Sequence, residues 1–345
     1  MTDLPGLDLL GLSAWLERAH PELVDEPLTA ERIAGGRSNL TYAVEGALVP
    51  LVVRRPPLGH VLSSAHDMKR EHRVISALAG SDVPVPVAVD IVDDTETNDV
   101  TGTVFFVMER APGMVLAHAS QNAGYPAAAL RALSLDLARH LADLHAVDPA
   151  AVGLSDFGRP EGYLERQLTT WKRQLDASRS RETPTLDALQ TSLADGVPTS
   201  GRSGIVHGDY RLDNALVAGT KAEPHISAIL DWEMATLGDP LVDLGIFALY
   251  WDIADLPGGL AGAVPSAVDT AAGYPTFDEL VEVYAERAGG GIPNLRWYRA
   301  FAAYKLAVIL EGIHFRYQAG GTVGEGFDRI GALVEPLAHK GLEVR

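Results

Sequence analysis

The sequence predicts an α+β fold of two lobes, a small antiparallel sheet with one helix over residues 1–111 and a larger helical lobe over residues 112–345. Three observations carry this. Short β-rich runs, "LTYAV", "LVPLVVRR", "VPVPVAVDIV" and "TGTVFFVMER", crowd the first third of the chain. Only "SAHDMKREHRVISALAG" breaks them with a helical period. After the turn "APG" at Ala111–Gly113 the pattern becomes helical, with Leu133, Leu137, Leu141 and Leu144 on one face.

In the second lobe, Thr276 to Arg287 and Asn294 to Tyr317 read as helices, and short strand-like runs lie around Ile205, Ala215 and Ile226. The stretch "PGGLAGAVPSA" at 257–267 reads as a surface loop, and no internal repeat is evident.

Composition narrows the function. With 345 residues, 47% of them hydrophobic and 21% charged, the chain can bury a sizeable core. It has no cysteine, which excludes disulfides, thiolate metal sites and cysteine nucleophiles. A formal net charge of -18 argues against general nucleic-acid binding, which requires basic surface. The opening "MTDLPGLDLL" lacks a basic region before an apolar stretch, and no charge-free run is long enough to span a bilayer. A cytoplasmic protein without membrane or nucleic-acid partners is the expectation. Protein partners are not readable.

The chemistry concentrates in two stretches. "IVHGDYRLDNALV", Ile205 to Val217, places His207, Asp209, Arg211 and Asn214 between apolar flanks, as a strand, a tight loop and a second strand would. "ISAILDWEMATLGDPLVDLG" ends an apolar strand at Asp231, with Glu233 two residues later. A carboxylate at a strand end is held by its neighbours while its oxygens stay open, which suits a hard divalent ion such as Mg²⁺. Asp209 then orients and deprotonates a hydroxyl, and Asn214 and Asp231 hold the metal. A metallophosphoesterase fits less well, because "DLH" at Asp143–His145 lies in a helical apolar pattern and no "GNH" follows. His145 therefore reads as a packed or capped helix residue.

With His207, Asp209 and Asn214 at this spacing and Asp231 after them, the chain resembles the aminoglycoside phosphotransferase or choline kinase-like branch of the protein-kinase fold. It looks nearest to the phosphotransferase domains fused to acyl-CoA dehydrogenases. The resemblance runs from about Leu28 to about Tyr317 and is specific at "VHGDYRLDN" and "ILDWEMATLGDPLVDLG". It implies ATP, with GTP as the alternative nucleotide, Mg²⁺, and transfer of the γ-phosphoryl group to the hydroxyl of a small molecule.

The remaining residues follow from the resemblance. "GGRSNLTYAV" suits a turn that lets backbone N–H groups approach phosphates, and Ser38 and Asn39 are its candidates, although the full glycine spacing is absent. In "LVVRRPP" an arginine stands where the family carries a strand lysine. Arg54, on the strand face of Val52, is preferred to Arg55, which a one-residue slip would select. Glu71 shares a helix face with Met68, Ile75 and Leu78, so its carboxylate needs a partner, and Arg54 is proposed. The backbones of Glu109 and Ala111 would meet adenine. Arg211 stands two after Asp209, where many protein kinases place a lysine on the transferred phosphate. Asp243 reads as a brace for the catalytic loop, and Glu233 as a second metal ligand or a loop contact.

The acceptor is the least legible part. From Asn294 to Tyr317, Arg296, Arg299, Lys305 and Arg316 face one acid, Glu311; four minus one leaves +3 in an otherwise acidic chain. Trp297, Tyr298, Phe301, Tyr304, Phe315 and Tyr317 lie in the same stretch. As a cleft lining these favour a hydroxy acid or hydroxyacyl thioester; as helix core they favour nothing. The alternatives are an aminoglycoside O-phosphotransferase and a catalytically silent nucleotide-binding regulatory module.

Overall fold

A computed structural model describes residues 4–33, 39–58, 67–255, 264–321 and 327–345. Ser38, the glycines before it and residues 257–263 of the expected loop lie outside the described residues. The fold is the α+β, protein-kinase-like fold with an antiparallel sheet that the sequence predicts. Two compact units form: Met1–Pro112 with Ser227–Glu233, and Gly113–Ile226 with Met234–Arg345.

The first unit opens with α1 (Leu9–Ala19), whose first turn is capped by the Asp8 carboxylate on the N–H groups of Leu10 and Gly11. Strands β1 (Val24–Arg32), β2 (Leu40–Ala47) and β3 (Leu51–Arg55) follow, then α2 (Met68–Leu78), β4 (Ala88–Asp93) and β5 (Val104–Glu109). The sheet is antiparallel throughout, in the order β1-β2-β3-β5-β4. Two helices therefore accompany it where the sequence pattern gave one. The segment "LLGLSAWLERA" has a helical face in Leu12, Trp15 and Leu16, but it is short, contains a glycine and follows a Pro-Gly turn, and the sequence reading passed over it.

Strand parity decides what each face buries. Tyr42, Val44, Leu51, Val53, Phe105 and Val107 pack with Leu12, Trp15 and Leu16 of α1. Arg54 and Phe106 are paired on β3 and β5, and the Phe106 ring meets His72 of α2 at 5.9 Å. Ser227–Glu233 joins this unit through the Ile229 N–H, which donates to the Pro84 carbonyl at 2.8 Å.

A loop between β4 and β5 is organised around the buried Asp94. One carboxylate oxygen accepts from the Thr97 hydroxyl and the Asp99 N–H, and the other from the N–H groups of Val100, Thr101 and Gly102. Burial alone would push this carboxyl up, but these donors hold it well below the usual carboxylate range. A depressed pKa contributes stability that is present above the unfolded value and lost as pH falls through the folded one. Asp94→Asn turns an amide against N–H donors and is expected to cost about 3 kcal/mol in urea unfolding at pH 7. The gap to the wild type should narrow below about pH 4. An equal gap at both ends of the range would count against the carboxylate's role.

The second unit is mainly helical. It contains β6 (Met114–Val115), α3 (Ala127–Ala146), α4 (Tyr163–Ser178), α5 (Pro184–Ala194), β7 (Gly204–Val206), β8 (Ala215–Gly219) and β9 (Pro224–Ile229), the last running into the first unit. It ends with β10 (Thr236–Gly238), α6 (Leu241–Trp251), α7 (Phe277–Arg287), α8 (Arg296–Gln318), α9 (Phe327–Ile330) and α10 (Val334–Val344). Leu133, Leu137, Leu141 and Leu144 are all buried, as their spacing requires.

Helix α8 is apolar on almost every side and runs through the core of this unit. Gly245 of α6 lets the two helices close up, since a Cβ there would stand 2.3 Å from the Tyr298 carbonyl oxygen. Trp297, Tyr298, Phe301 and Tyr304 are consequently interior, not a cleft lining. Arg299 pairs with Asp252 and Arg296 donates to the Val344 carbonyl. The buried Glu311 is paired with Arg181. Of the aromatic and basic array read from the sequence, only Arg296 at the start of the helix and Phe315, Arg316 and Tyr317 at its end are exposed. A helix buried all round shows the same composition as one that lines a pocket, so periodicity cannot separate them.

Candidate active site

The polar stretches of the sequence build two constellations, one in each unit. In the first, Arg54 near the end of β3 donates from Nε to Glu71 of α2 at 3.0 Å and from Nη2 to Asp231 at 3.1 Å. The Glu71 side chain is only 2% exposed, so its charge depends on this partner. Burial raises its pKa against the pull of the guanidinium. Burial would weaken the hold of Arg54 on its proton, and the carboxylates of Glu71, Asp231 and Glu233 reverse that. One planar fork thereby bridges two acids, which a lysine's point charge does less well.

Asp231 has a left-handed backbone (φ 66°), one of two described non-glycine residues with positive φ. Aspartate tolerates this better than most residues. The turn leaves its side chain a third exposed. Glu233 accepts from Asn39 Nδ2 at 3.3 Å, across 194 residues of sequence. Asn39 is buried, and among the described residues its Oδ1 has no hydrogen-bond partner.

Arg55 points to the opposite face. Its guanidinium donates to the carbonyls of Pro56, Gly6 and Thr101, so it fastens the chain before α1 to the sheet. At the end of β5, the N–H groups of Glu109 and Arg110 donate to the carbonyls of Val87 and Pro50. Among the described residues no acceptor takes the N–H of Ala111.

In the second unit, the stretch from Ile205 to Val217 leaves β7, which pairs with β10, and enters β8, which pairs with β6. The loop therefore joins two different strand pairs. Its backbone is held from below by Asp243 in the first turn of α6, whose fully buried carboxylate accepts the N–H of His207 at 2.7 Å and of Gly208 at 2.8 Å. His145 lies 3.2 Å from the same carboxylate through Nε2 and 2.8 Å from the Tyr284 hydroxyl through Nδ1. Burial lowers the His145 pKa despite Asp243. His145 is thus a packed helix residue, as its context in α3 indicated. Burial would raise Asp243, but the His145 hydrogen bond, the histidine charges and the Gly208 N–H keep it low.

Gly208 has φ +86°, and a Cβ there would stand 2.8 Å from Met234. Only glycine meets both demands. Next to it, the Asp209 N–H donates to His207 Nδ1 at 3.2 Å. Asn214 Nδ2 donates to the Asp209 carbonyl at 2.8 Å and to its Oδ2 at 2.9 Å, so Asn214 Oδ1 takes no part in either bond. Arg211 bridges Asp209 at 3.3 Å and Asp213 at 2.9 Å, and its guanidinium lies 4.5 Å from the centre of the Tyr250 ring.

The sequence reading placed Lys305 among the basic residues of a candidate cleft and missed its contact with the loop. It is buried in α8 and donates to the Gly208 carbonyl at 2.7 Å. The signal was present: one lysine in the apolar run "FAAYKLAVIL" requires a buried acceptor.

Hard oxygen donors of the kind a divalent cation takes are the carboxylates of Asp231 and Glu233 in the first unit and, separately, Asn214 Oδ1 in the second. Among the described residues no group of three or more histidines and carboxylates gathers into a cage. That donor set suits Mg²⁺, which takes one or two carboxylates and completes its shell with phosphate oxygens and water.

The fold and these residue sets define a phosphotransferase. Residues 29–300 match the profile of the "Phosphotransferase enzyme family", and the chain belongs to that family. It is 34% identical over 343 residues to acyl-CoA dehydrogenase family member 11 of Gallus gallus, covering 96% of this chain and 43% of that protein. It spans less than half the length of the curated relatives it matches. A crystal structure from Ralstonia eutropha JMP134, provisionally named an aminoglycoside phosphotransferase, shares 34% identity with a TM-score of 0.83, over 98% of each chain. The GDP and kanamycin complex of APH(2″)-IIIa shares the fold at 16% identity, with a TM-score of 0.64 over 97% of this chain and 99% of that one.

Proposed function

We propose that the chain is an ATP- and Mg²⁺-dependent phosphotransferase that moves the γ-phosphoryl group to a hydroxyl of a small molecule, a hydroxy acid or hydroxyacyl thioester. The observation that carries this reading is Asp209, a carboxylate on a loop whose preceding peptide groups are each held by hydrogen bonds. Such a carboxylate accepts the proton of the acceptor hydroxyl as the oxygen attacks phosphorus. Arg211 offsets charge on the transferred group. Arg54, kept in place by Glu71, grips the nucleotide phosphates, with Asn39 beside them. The Glu109 carbonyl and the Ala111 N–H suit the edge of a purine. Asp231 and Asn214 are the residues that would hold Mg²⁺, which would supply charge neutralisation and alignment of the phosphates. GDP in APH(2″)-IIIa keeps GTP open as an alternative nucleotide.

Two substitutions separate the strand residues. Arg54→Ala is expected to weaken Mg·ATP binding about ten- to a hundredfold. Arg55→Ala should leave the Kd within about threefold and instead lower the melting temperature, because three carbonyls lose their donor. Equal losses of affinity would overturn the assignment. For the metal, Asp231→Ala should abolish the Mg²⁺ dependence of ATP binding in calorimetry; an unchanged dependence would remove Asp231 as a ligand.

The acceptor class rests on the relatives. Identity of 34% over nearly the whole chain links it to acyl-CoA dehydrogenase family members, the same identity as to the Ralstonia protein provisionally named an aminoglycoside phosphotransferase, against 16% to the kanamycin complex. A screen of hydroxy acids, hydroxyacyl-CoA thioesters and aminoglycosides with Mg·ATP, read by mass spectrometry, tests this. Phosphorylated hydroxyacyl products support it. Efficient kanamycin phosphorylation with no hydroxyacyl product would support the aminoglycoside alternative and keep the kinase assignment. A chain that binds nucleotide but phosphorylates nothing would support the silent regulatory module.

A further inference from the structure

Lys305 lies deep in the second unit, 97 residues from the loop it touches. Its Nζ meets three acceptors: the Gly208 carbonyl at 2.7 Å, Met234 Sδ at 3.8 Å, and the face of the Trp171 ring at 5.4 Å from its centre. A carbonyl, a thioether and a π face are all electron-rich, which matches the three donors of an ammonium and would oppose the lone pair of a neutral amine. Burial lowers the Lys305 pKa, and the carboxylates of Asp209 and Asp243 oppose that shift.

Burying an ammonium costs several kcal/mol unless its partners return that energy. From Ala300 to Leu310 helix α8 is otherwise filled by Ala, Leu, Val, Ile and aromatic residues, and a methionine would complete the packing at no such cost. What the ammonium adds lies at Gly208. Asp243 fixes the peptide groups that carry the His207 and Gly208 N–H from one side. The next peptide group joins Gly208 to Asp209. Its N–H is held by His207 Nδ1 and its carbonyl by Lys305. Three successive peptide planes before Asp209 are thus pinned, and the last of them depends on Lys305. Gly208, the one residue here with no side chain to restrict its rotation, is where such a clamp matters most.

We propose that Lys305 is a positioning residue for phosphoryl transfer, fixing from α8 the peptide plane that presents Asp209. The proposal rests on the reading of Asp209 as the base. Misplacing a reacting group by about an ångström can cost about a hundredfold in rate, so the effect belongs in kcat and not in nucleotide affinity.

The test uses the full chain with Mg·ATP and water as acceptor, comparing Lys305→Met, Lys305→Gln and Lys305→Arg with the wild type by ATP hydrolysis, circular dichroism and thermal unfolding. Lys305→Met is expected to keep its circular dichroism and a KM for Mg·ATP within about threefold, while kcat falls about 10- to 100-fold. Lys305→Arg should recover much of that loss. A folded Lys305→Met with wild-type kcat would overturn the proposal. So would Met and Arg variants that lose kcat equally, with KM rising in step. If Lys305→Met does not fold, Lys305→Gln, polar but with its amide nitrogen one bond short of the ammonium that meets the Gly208 carbonyl, is read by the same criteria. If the wild type turns over no ATP, that counts against the phosphotransferase reading. Amide hydrogen exchange across residues 206–210 then decides Lys305: faster exchange in Lys305→Gln supports the clamp, and unchanged exchange overturns it.

Discussion

Asp209→Asn is expected to leave the fold and the affinity for Mg·ATP in place and to lower turnover by about 10² to 10⁴, the range for a positioned base. The substitution keeps the shape of the side chain. It also keeps the backbone bonds that fix the loop, since His207, Gly208 and Asp209 N–H donate to groups other than the Asp209 carboxylate. The Arg54–Glu71–Asp231 set is built without Asp209, so nucleotide binding has no reason to change. What is lost is an oxygen that can hold a proton. The Asn214 amide, which donates to Asp209 Oδ2, can pair with the new side-chain oxygen. Steady-state kinetics should show the loss in kcat with little movement of the nucleotide KM. Wild-type turnover in this variant would remove Asp209 from its role.

Asp243→Ala should produce the largest loss of stability, about 3–5 kcal/mol in urea unfolding at pH 7. Three donors lose one buried acceptor: the N–H groups of His207 and Gly208 and the imidazole of His145. Each stranded donor costs about 1–3 kcal/mol, less whatever water the collapsed site admits. The sign of the pH dependence follows from the depressed Asp243 pKa. Its contribution is present above the ordinary carboxylate range and disappears as pH falls through the folded value, so the penalty of the substitution should shrink in acid. Turnover should fall as well, because the loop that carries Asp209 loses its support. A variant as stable as the wild type would show that Asp243 does not brace the loop.

Much of the site is legible because it is local. His207, Asp209, Arg211 and Asn214 lie within eight positions, and the tight loop they form depends mainly on its own turn chemistry. Arg54 and Glu71 were readable from parity and helical period: Val52 and Arg54 share one strand face, Met68 and Glu71 one helix face, and the two residues pair. Asp243 was readable as a brace from its place at the start of a helix, although β8, β9 and β10 separate it from the loop it holds. What the sequence hid is carried by long-range packing. Asn39 meets Glu233, and Lys305 reaches Gly208, across separations at which no pattern operates. The aromatic residues of α8 were ambiguous for a different reason. Burial against α4, α5, α6 and α10 and burial against a ligand select the same residue types, and only the packed structure shows that Trp297, Tyr298, Phe301 and Tyr304 are core.

The most direct test of phosphoryl transfer uses ATP labelled in its γ-phosphoryl group, with Mg²⁺ and a panel of hydroxy acids, hydroxyacyl-CoA thioesters and aminoglycosides. Label should appear on a hydroxyl-bearing acceptor in step with ADP, require Mg²⁺, and vanish in Asp209→Asn. Bound ATP whose label never leaves the nucleotide, or leaves only as inorganic phosphate with every acceptor class, would contradict the account.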